Sequence, residues 1–265
     1  MNFKSASTKP SNEKVVLFLP AYFAERTLTS VYNKIPKDCI DDIILVDDGS
    51  KDRIDEVAHQ LGIKFYRNTQ NLGYGGNLKV CIQKALNLEA DILIELHPDD
   101  QYDPSAIPEA LHKLRSGYDF VIGSRFLKPG SALKNSMPIW KFVINRLSTY
   151  LAKAVLGIKL TDFHSGFRVY RRQFLEKVNF QKNDNDYLFS FQIIAQASYG
   201  GFKVGEVPVV CKYFQGATQI NFLRSMNYGI GALKTLLAFF LSKAGKTHPL
   251  FFANTSINLP CEKAI

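Results

Sequence analysis

The chain has 265 residues, 46% of them hydrophobic and 22% charged. That balance excludes a disordered segment, a collagen-like repeat and a disulfide-stapled miniprotein, and it supplies enough chain for one large core. With 33 Lys and Arg against 24 Asp and Glu the net charge is +9, which points to an anionic partner: nucleic acid, a nucleotide phosphate or an acidic membrane surface.

Residues 1–14 are polar, lack the apolar run of a signal peptide and read as a flexible tail. From Val15 onward, five short apolar runs rich in β-branched residues lie at 15–19, 43–46, 63–66, 91–96 and 119–123. They are too short for helices and read as buried strands. Amphipathic stretches at about 25–35, 52–61, 75–88 and 104–116 separate them and read as helices, Asp52 helping to open the second and Pro104 standing in the first turn of the fourth. This alternation over short links predicts an α/β fold: a mostly parallel sheet covered by helices on both faces.

The second half opens with a basic amphipathic helix over 134–157, carrying Lys134, Trp140, Lys141, Arg146 and Lys153. A helix at about 186–199, an extended segment over 202–214, a basic amphipathic helix over 221–245 and a tail at 246–265 follow. The longest apolar stretch, Ile230–Leu241, is interrupted by Lys234 and falls short of the roughly 20 apolar residues of a membrane span. It suits a helix lying in a membrane interface, or one packed on the domain or on a partner subunit. Cys39, Cys81, Cys211 and Cys261 form no C-x-x-C pair and read as reduced thiols of a cytoplasmic protein.

In sheets of this kind ligands bind beyond the carboxyl ends of the strands, and those tips are polar here. They read Pro20-Ala21-Tyr22 through Glu25, Asp47-Asp48-Gly49-Ser50, Asn71 through Asn77, His97-Pro98-Asp99-Asp100-Gln101 and Gly123-Ser124-Arg125. The carboxylates after the fourth strand suit a divalent cation bridging phosphates, or a capped turn. Asp48 suits a ribose or base, or an Asp-Gly turn. Gly73, Gly75 and Gly76 could let the backbone approach a phosphate, but Leu78 breaks the G-x-G-x-x-G pattern and demotes a nicotinamide-dependent dehydrogenase. Arg125 and Arg168 have the guanidinium geometry for a phosphate, whereas Arg171 and Arg172 read as solvated surface. Asp162 fits either a catalytic base or a loop cap, and His164 either a structural hydrogen-bonder or a ligand. His59, His112 and His248 read as surface groups. Neither a nucleophile elbow nor the aromatic pattern of an RNA-binding sheet is present, so nucleic acid drops from the expected partners.

Taken in order, LPAYFAERTL (19–28), IILVDDGSKD (43–52), NLGYGGN (71–77), HPDDQYDP (97–104), GSR (123–125) and DFHSGFRVYRR (162–172) resemble the family 2 inverting glycosyltransferases. The likeness is to the branch of dolichyl-phosphate mannose synthases and bacterial polyprenyl-phosphate glycosyltransferases, and it spans about 15–215. It implies a GT-A type, half-Rossmann nucleotide-binding fold in a single catalytic domain over 15–220. Pro20, Ala21, Tyr22, Glu25 and Asp48 match positions that contact base and ribose; Asn71, Gly73, Asn77, Pro98 and Asp99 complete the implied donor site. The family's D-x-D-x-Q run holds a divalent cation, Mn²⁺ or Mg²⁺, on the donor diphosphate. Asp99 and Gln101 match it, while His97 replaces the first Asp, and imidazole is a competent ligand for Mn²⁺ but a poor one for Mg²⁺.

Two further departures stand out: Phe23 replaces the Asn of Y-N-E-x, and Ser190-Phe191-Gln192 stands where many relatives carry an acid. An acceptor that is already an anionic phosphate needs no base, which agrees with that loss. The resemblance implies catalytic roles for Asp99, Arg125, Asp162 and Arg168, and acceptor-phosphate binding by Arg125, Arg146, Ser165 and Arg168. The implied reaction moves a hexose from a nucleotide-diphosphate sugar to a polyprenyl (dolichyl or undecaprenyl) phosphate, by an enzyme peripheral on the cytoplasmic face of a membrane. Transfer to a saccharide or glycolipid hydroxyl, with Asp162 as base, is the alternative reaction; a nucleotide-sugar-binding module with little turnover is the alternative class. A homo-oligomer stays open.

Overall fold

The five apolar runs become strands of one sheet in the computed structural model, which describes residues 12–213 and 222–251. The N-terminal tail up to residue 11, the C-terminal tail from 252 and Cys261 lie outside the described residues. The strands are β1 (Val15–Ala21), β2 (Asp42–Asp47), β3 (Lys64–Arg67), β4 (Ile92–Glu95) and β5 (Phe120–Ser124), alternating with helices α1 (Glu25–Lys34), α2 (Ile54–Gln60), α3 (Tyr74–Asn87) and α4 (Ile107–Arg115). β1, β4 and β5 are buried along their whole length, which is why they read as continuous apolar runs rather than alternating ones. Successive residues of β1 face opposite sides. Val16 and Phe18 join a core with α3 residues Leu78 and Ile82, while Val15, Leu17 and Leu19 join one with Leu28 of α1 and Ile107 of α4.

The sheet has seven strands in the order β3-β2-β1-β4-β6-β5-β7. β7 (Val204–Pro208), within the expected extended segment, runs parallel to β5. β6 (Arg168–Arg171) runs antiparallel between β4 and β5 and sets Arg168 opposite Glu95. It is the one strand the apolar pattern does not announce, because half of Arg-Val-Tyr-Arg is charged.

Local chemistry moves several boundaries. Asp52 does not cap α2; its carboxylate accepts from Glu25 N (3.0 Å) and Ser50 Oγ (2.6 Å) and so ties the start of α1 to the β2 tip. Pro104 opens a 3₁₀ turn, with Asp103 accepting from Ser105 N, that feeds α4. The helix expected over 134–157 divides into α5 (Ser131–Lys134) and α6 (Ile139–Leu156), since Pro138 disfavours helix at the residue before it. After β6 come α7 (Arg172–Lys177), α8 (Phe189–Tyr199) and α9 (Phe222–Lys243). Residues 189–197 of α8 are all buried, and the polar Gln192 and Gln196 among them are hydrogen-bonded inside the protein. Residues 246–265 do not begin as a tail: Leu250 and Phe251 are buried, and Gln196 Nε2 donates to Leu250 O (3.0 Å). Cys39, Cys81 and Cys211 are free and buried. Among the described residues no helix is long and apolar enough to cross a membrane.

Candidate active site

A cleft of about 1450 Å³ opens beyond the carboxyl ends of β1, β2 and β4 and continues between α6 and α9. At the strand end Pro20, Ala21 and Tyr22 line it at the end of β1 and Asp48 after β2; Asn71, Gly73 and Asn77 line it at the start of α3, and His97, Pro98, Asp99 and Gln101 after β4. Glu25, grouped with them on sequence, does not. Its carboxylate accepts from Arg53 N (3.1 Å) and pairs with the Arg53 guanidinium (3.4 Å).

Two motifs turn out to shape the site through the protein's own backbone. The Asp48 carboxylate accepts from Asn68 Nδ2 (2.9 Å), Leu72 N (2.9 Å) and Gly73 N (3.0 Å), which fixes the loop entering α3. The amides of Gly75 and Gly76 both donate to Asn185 O (2.8 and 3.1 Å), and a Cβ on Gly75 would lie 2.3 Å from Asp184 O. Those glycines admit the 184–186 backbone, not a phosphate. Gln192, standing where an acid was expected, accepts from Asp184 N (2.6 Å) and anchors the same loop.

Of the two carboxylates after β4, only Asp99 serves the cleft. Asp100, in a left-handed conformation (φ 59), turns away to Ser30 Oγ (3.1 Å) and Lys34 Nζ (2.5 Å). Asp99 accepts from Gln101 N (3.1 Å), and burial holds its carboxyl above the ordinary range. The His97 ring stacks on Tyr74 (5.4 Å, 9°), and its Nε2 lies 3.3 Å from both Glu95 Oε1 and Tyr74 OH. Gly166 leaves room for that ring, since a Cβ there would sit 2.9 Å from His97 Cδ2. Nε2 is thereby engaged with protein groups, while His97 as a whole lines the cleft.

The residues grouped as a phosphate clamp separate. Arg125 lines the cleft. It forms a bidentate pair with buried Asp162 (Nε–Oδ2 2.7 Å, Nη2–Oδ1 2.8 Å) and donates to Tyr213 OH (2.8 Å). Burial alone would raise the Asp162 carboxyl, but the Arg125 guanidinium holds it below the usual range. Asp162 also accepts from Arg125 N and His164 N, so it positions Arg125 and has no oxygen left over to act as a base.

Arg168 is fully buried and donates from Nε to Ser165 O (2.9 Å), while Nη1 and Nη2 have no hydrogen-bond partner among the described residues. Ser165 is buried and accepts from Phe167 N (3.4 Å). Arg146 donates to Tyr150 OH (3.1 Å) and Thr161 O (3.4 Å). None of these three is among the lining residues. The cations that do line the cleft beside Arg125 are Lys141, on α6, and Arg224, on α9. No motif distinguishes them from the other basic residues of the two helices; only helix packing brings them to the cleft.

Beyond them the walls become apolar: Trp140, Ile144 and Leu151 from α6, Met226, Ile230 and Leu233 from α9. The two helices pack side by side and carry an exposed apolar face, with Leu147 65%, Leu233 56% and Phe240 65% exposed. An apolar patch continuous with a polar cleft marks an interaction site.

Residues 18–178 match the family model for glycosyl transferase family 2. The chain belongs to that family. It is similar to polyprenol monophosphomannose synthase of Mycolicibacterium smegmatis, 27% identical over 212 residues that cover 77% of this chain and 79% of that one. It is also similar to the UDP-N-acetylglucosamine–dolichyl-phosphate N-acetylglucosaminyltransferase of Methanococcus voltae, 28% identical over 254 residues, covering 89% and 98%. Among solved structures, glucosyl-3-phosphoglycerate synthase of Mycobacterium tuberculosis, in complex with Mn²⁺, uridine diphosphate and glucosyl-3-phosphoglycerate, shares the fold. Its TM-score is 0.65 at 17% identity, covering 86% of this chain and 80% of that one.

As a family 2 glycosyltransferase the protein is an enzyme of the GT-A architecture. Phe23 stands where the pattern has Asn, in a left-handed conformation (φ 54) that Asn adopts more readily. For a divalent cation, no cluster of three His, Cys, Asp or Glu exists among the described residues. Cations bound with a diphosphate need only one or two protein ligands, so Asp99 with His97 fits a cation that arrives with its donor.

Proposed function

We propose that this glycosyltransferase moves a hexose, with inversion, from a nucleotide-diphosphate sugar to a polyprenyl phosphate at a membrane surface. The observation that carries the reading is the two-ended cleft: a polar pocket at the strand tips continues into an apolar trough between α6 and α9, with Arg125 and Lys141 among its lining. A nucleotide sugar suits the first end and an isoprenoid chain the second. One relative is named for a polyprenol monophosphomannose product and another for transfer to dolichyl phosphate, which supports the same acceptor class.

Chemically, an oxygen of the lipid phosphate attacks the anomeric carbon as the bond from that carbon to the diphosphate breaks, and the electron pair leaves with the nucleoside diphosphate. The attacking oxygen is anionic near neutral pH, so no general base is required. This accords with Asp162 being committed to Arg125 and with Gln192 at the acidic position. The Arg125 guanidinium, still charged and held by Asp162 and Tyr213, orients the acceptor phosphate in a partly dehydrated site where its charge counts for more than in water. Asp99 and His97 would hold a divalent cation, which supplies positive charge to the departing diphosphate when bound. The exposed apolar faces of α6 and α9, flanked by Lys141, Lys153 and Lys243, suit insertion into an anionic bilayer surface.

Thermal melts against a panel of nucleotide sugars, each with Mn²⁺ or Mg²⁺, test the donor half. One nucleotide sugar should raise the melting temperature in a concentration-dependent way, and nucleoside diphosphate release should then require polyprenyl phosphate. Release driven equally well by hydroxyl acceptors would overturn the acceptor assignment.

A further inference from the structure

We propose that His164 is a positioning residue that pins α6 to α9 across the acceptor end of the cleft and sets the width of the trough that receives the lipid; the lipid part rests on the acceptor reading above. His164 lies in the loop that leads from α6 to β6. Its Nε2 is 2.8 Å from Ser148 Oγ on α6, and its Nδ1 is 2.7 Å from Tyr228 OH on α9. The ring stacks over Phe191 of α8 (6.3 Å, 13°) and meets the Tyr228 ring edge-on (5.5 Å, 72°). One imidazole therefore touches all three helices around the trough.

The network assigns the protons. The Ser148 hydroxyl already donates to Asn145 O (3.1 Å), so toward the histidine it accepts, and Nε2 carries the hydrogen. Nδ1 is then the acceptor for the Tyr228 hydroxyl. A single neutral tautomer satisfies both helices at once. Burial lowers the ring's pKa to about 4, which keeps it neutral at physiological pH.

Two observations make this a joint of the site rather than a core contact. Ser148, His164 and Tyr228 all line the cleft. One turn on in α9, Gly231 lies so close to Leu188, the residue capping α8, that a Cβ would sit 2.5 Å from its Cδ2. That approach and the His164–Tyr228 bond together fix the first half of α9. The anchor below is firm, because Asp162 accepts from His164 N (3.0 Å) while holding Arg125.

The test compares His164→Phe, which keeps a ring over Phe191 but loses both hydrogen bonds, with Ser148→Ala and Tyr228→Phe, which lose one each. The readouts are the KM for polyprenyl phosphate, the KM for the nucleotide sugar, and amide hydrogen exchange in α6 and α9. We expect His164→Phe to raise the acceptor KM about tenfold, the scale of two lost hydrogen bonds. Donor KM should change less than about twofold, and exchange should quicken in both helices. The single-bond variants should move the same way by less, and His164→Asn, which can still accept from Tyr228, should recover part of the loss. An unchanged acceptor KM with unchanged exchange in His164→Phe overturns the proposal. Should that variant not fold, unchanged values in both Ser148→Ala and Tyr228→Phe overturn it equally. Wild-type protein that uses no polyprenyl phosphate overturns the acceptor reading and the lipid part of the proposal together, while exchange alone still decides whether the pin exists.

Discussion

The two ends of the cleft are built on different principles. At the donor end the lining comes mostly from strand ends and the segments that follow them, joined by the 184–187 loop, and the parallel register of β1 with β2 and β4 brings those ends to one edge of the sheet. At the acceptor end the lining comes from α6, α9 and the loop holding His164, where tertiary contacts decide which way a side chain faces. A local motif therefore suffices to name residues at the first end. At the second, a basic or acidic residue takes its role from its partner: Asp162 from Arg125, Arg146 from Tyr150 and Thr161.

Substitutions at the two ends should accordingly fail in different ways. The largest effect is expected at the Arg125–Asp162 pair. Asp162→Ala leaves a buried guanidinium without its counter-charge and should cost about 3–5 kcal/mol of stability, read by urea titration. A free surface base would instead lose turnover with its stability intact.

His164 gives a pH signature of the acceptor end. Its folded pKa of about 4 lies below the ordinary 6.5, so the unfolded chain binds the extra proton between those values. The stability from the neutral ring is fully present above pH 6.5 and is lost as pH falls toward 4. The loss amounts to up to about 3 kcal/mol. Melts of wild type and His164→Phe across that range should converge as the pH drops.

The donor end should respond through its loops. Gly75→Ala places a methyl against the Asp184 carbonyl, and should cost about 1–3 kcal/mol and raise the donor KM while sparing the acceptor KM. His97→Asp should shift the preferred ion from Mn²⁺ toward Mg²⁺, read as relative activity and as metal-dependent donor affinity. The smallest effect is a gain: Phe23→Asn relieves a left-handed bulky residue and should stabilise the fold by about 1 kcal/mol, seen as a small rise in Tm.

This contrast also explains what could be read from the sequence. Five strands and four helices of the first half stand within a few residues of their expected positions; burial on both faces gives β1, β4 and β5 their continuous signature, whereas β3, at the sheet edge, has no buried residue. Family membership was legible in the ordered tips from Pro20 to Arg168. β6 was not, since Arg168 is buried opposite Glu95 in a pairing that no local pattern encodes. Arg146 and Ser165, for which the resemblance implies phosphate binding, make hydrogen bonds within the protein and do not line the cleft, whereas Lys141 and Arg224 reach the cleft through helix packing alone. Of the basic residues behind the net charge of +9, Arg125 and Arg168 are buried, and Arg125, Lys141 and Arg224 line the cleft.

The most direct test of the central claim offers the protein, with its preferred nucleotide sugar and Mn²⁺, equal amounts of a polyprenyl phosphate and the matching polyprenol. The two lipids differ only in the phosphate, and products are identified by mass spectrometry with the anomeric configuration read by NMR. The expected product is a glycosyl phosphopolyprenol of inverted configuration, with no glycosylated polyprenol. Glycosylation of the polyprenol at a comparable rate, or retention of configuration, would contradict the proposed reaction.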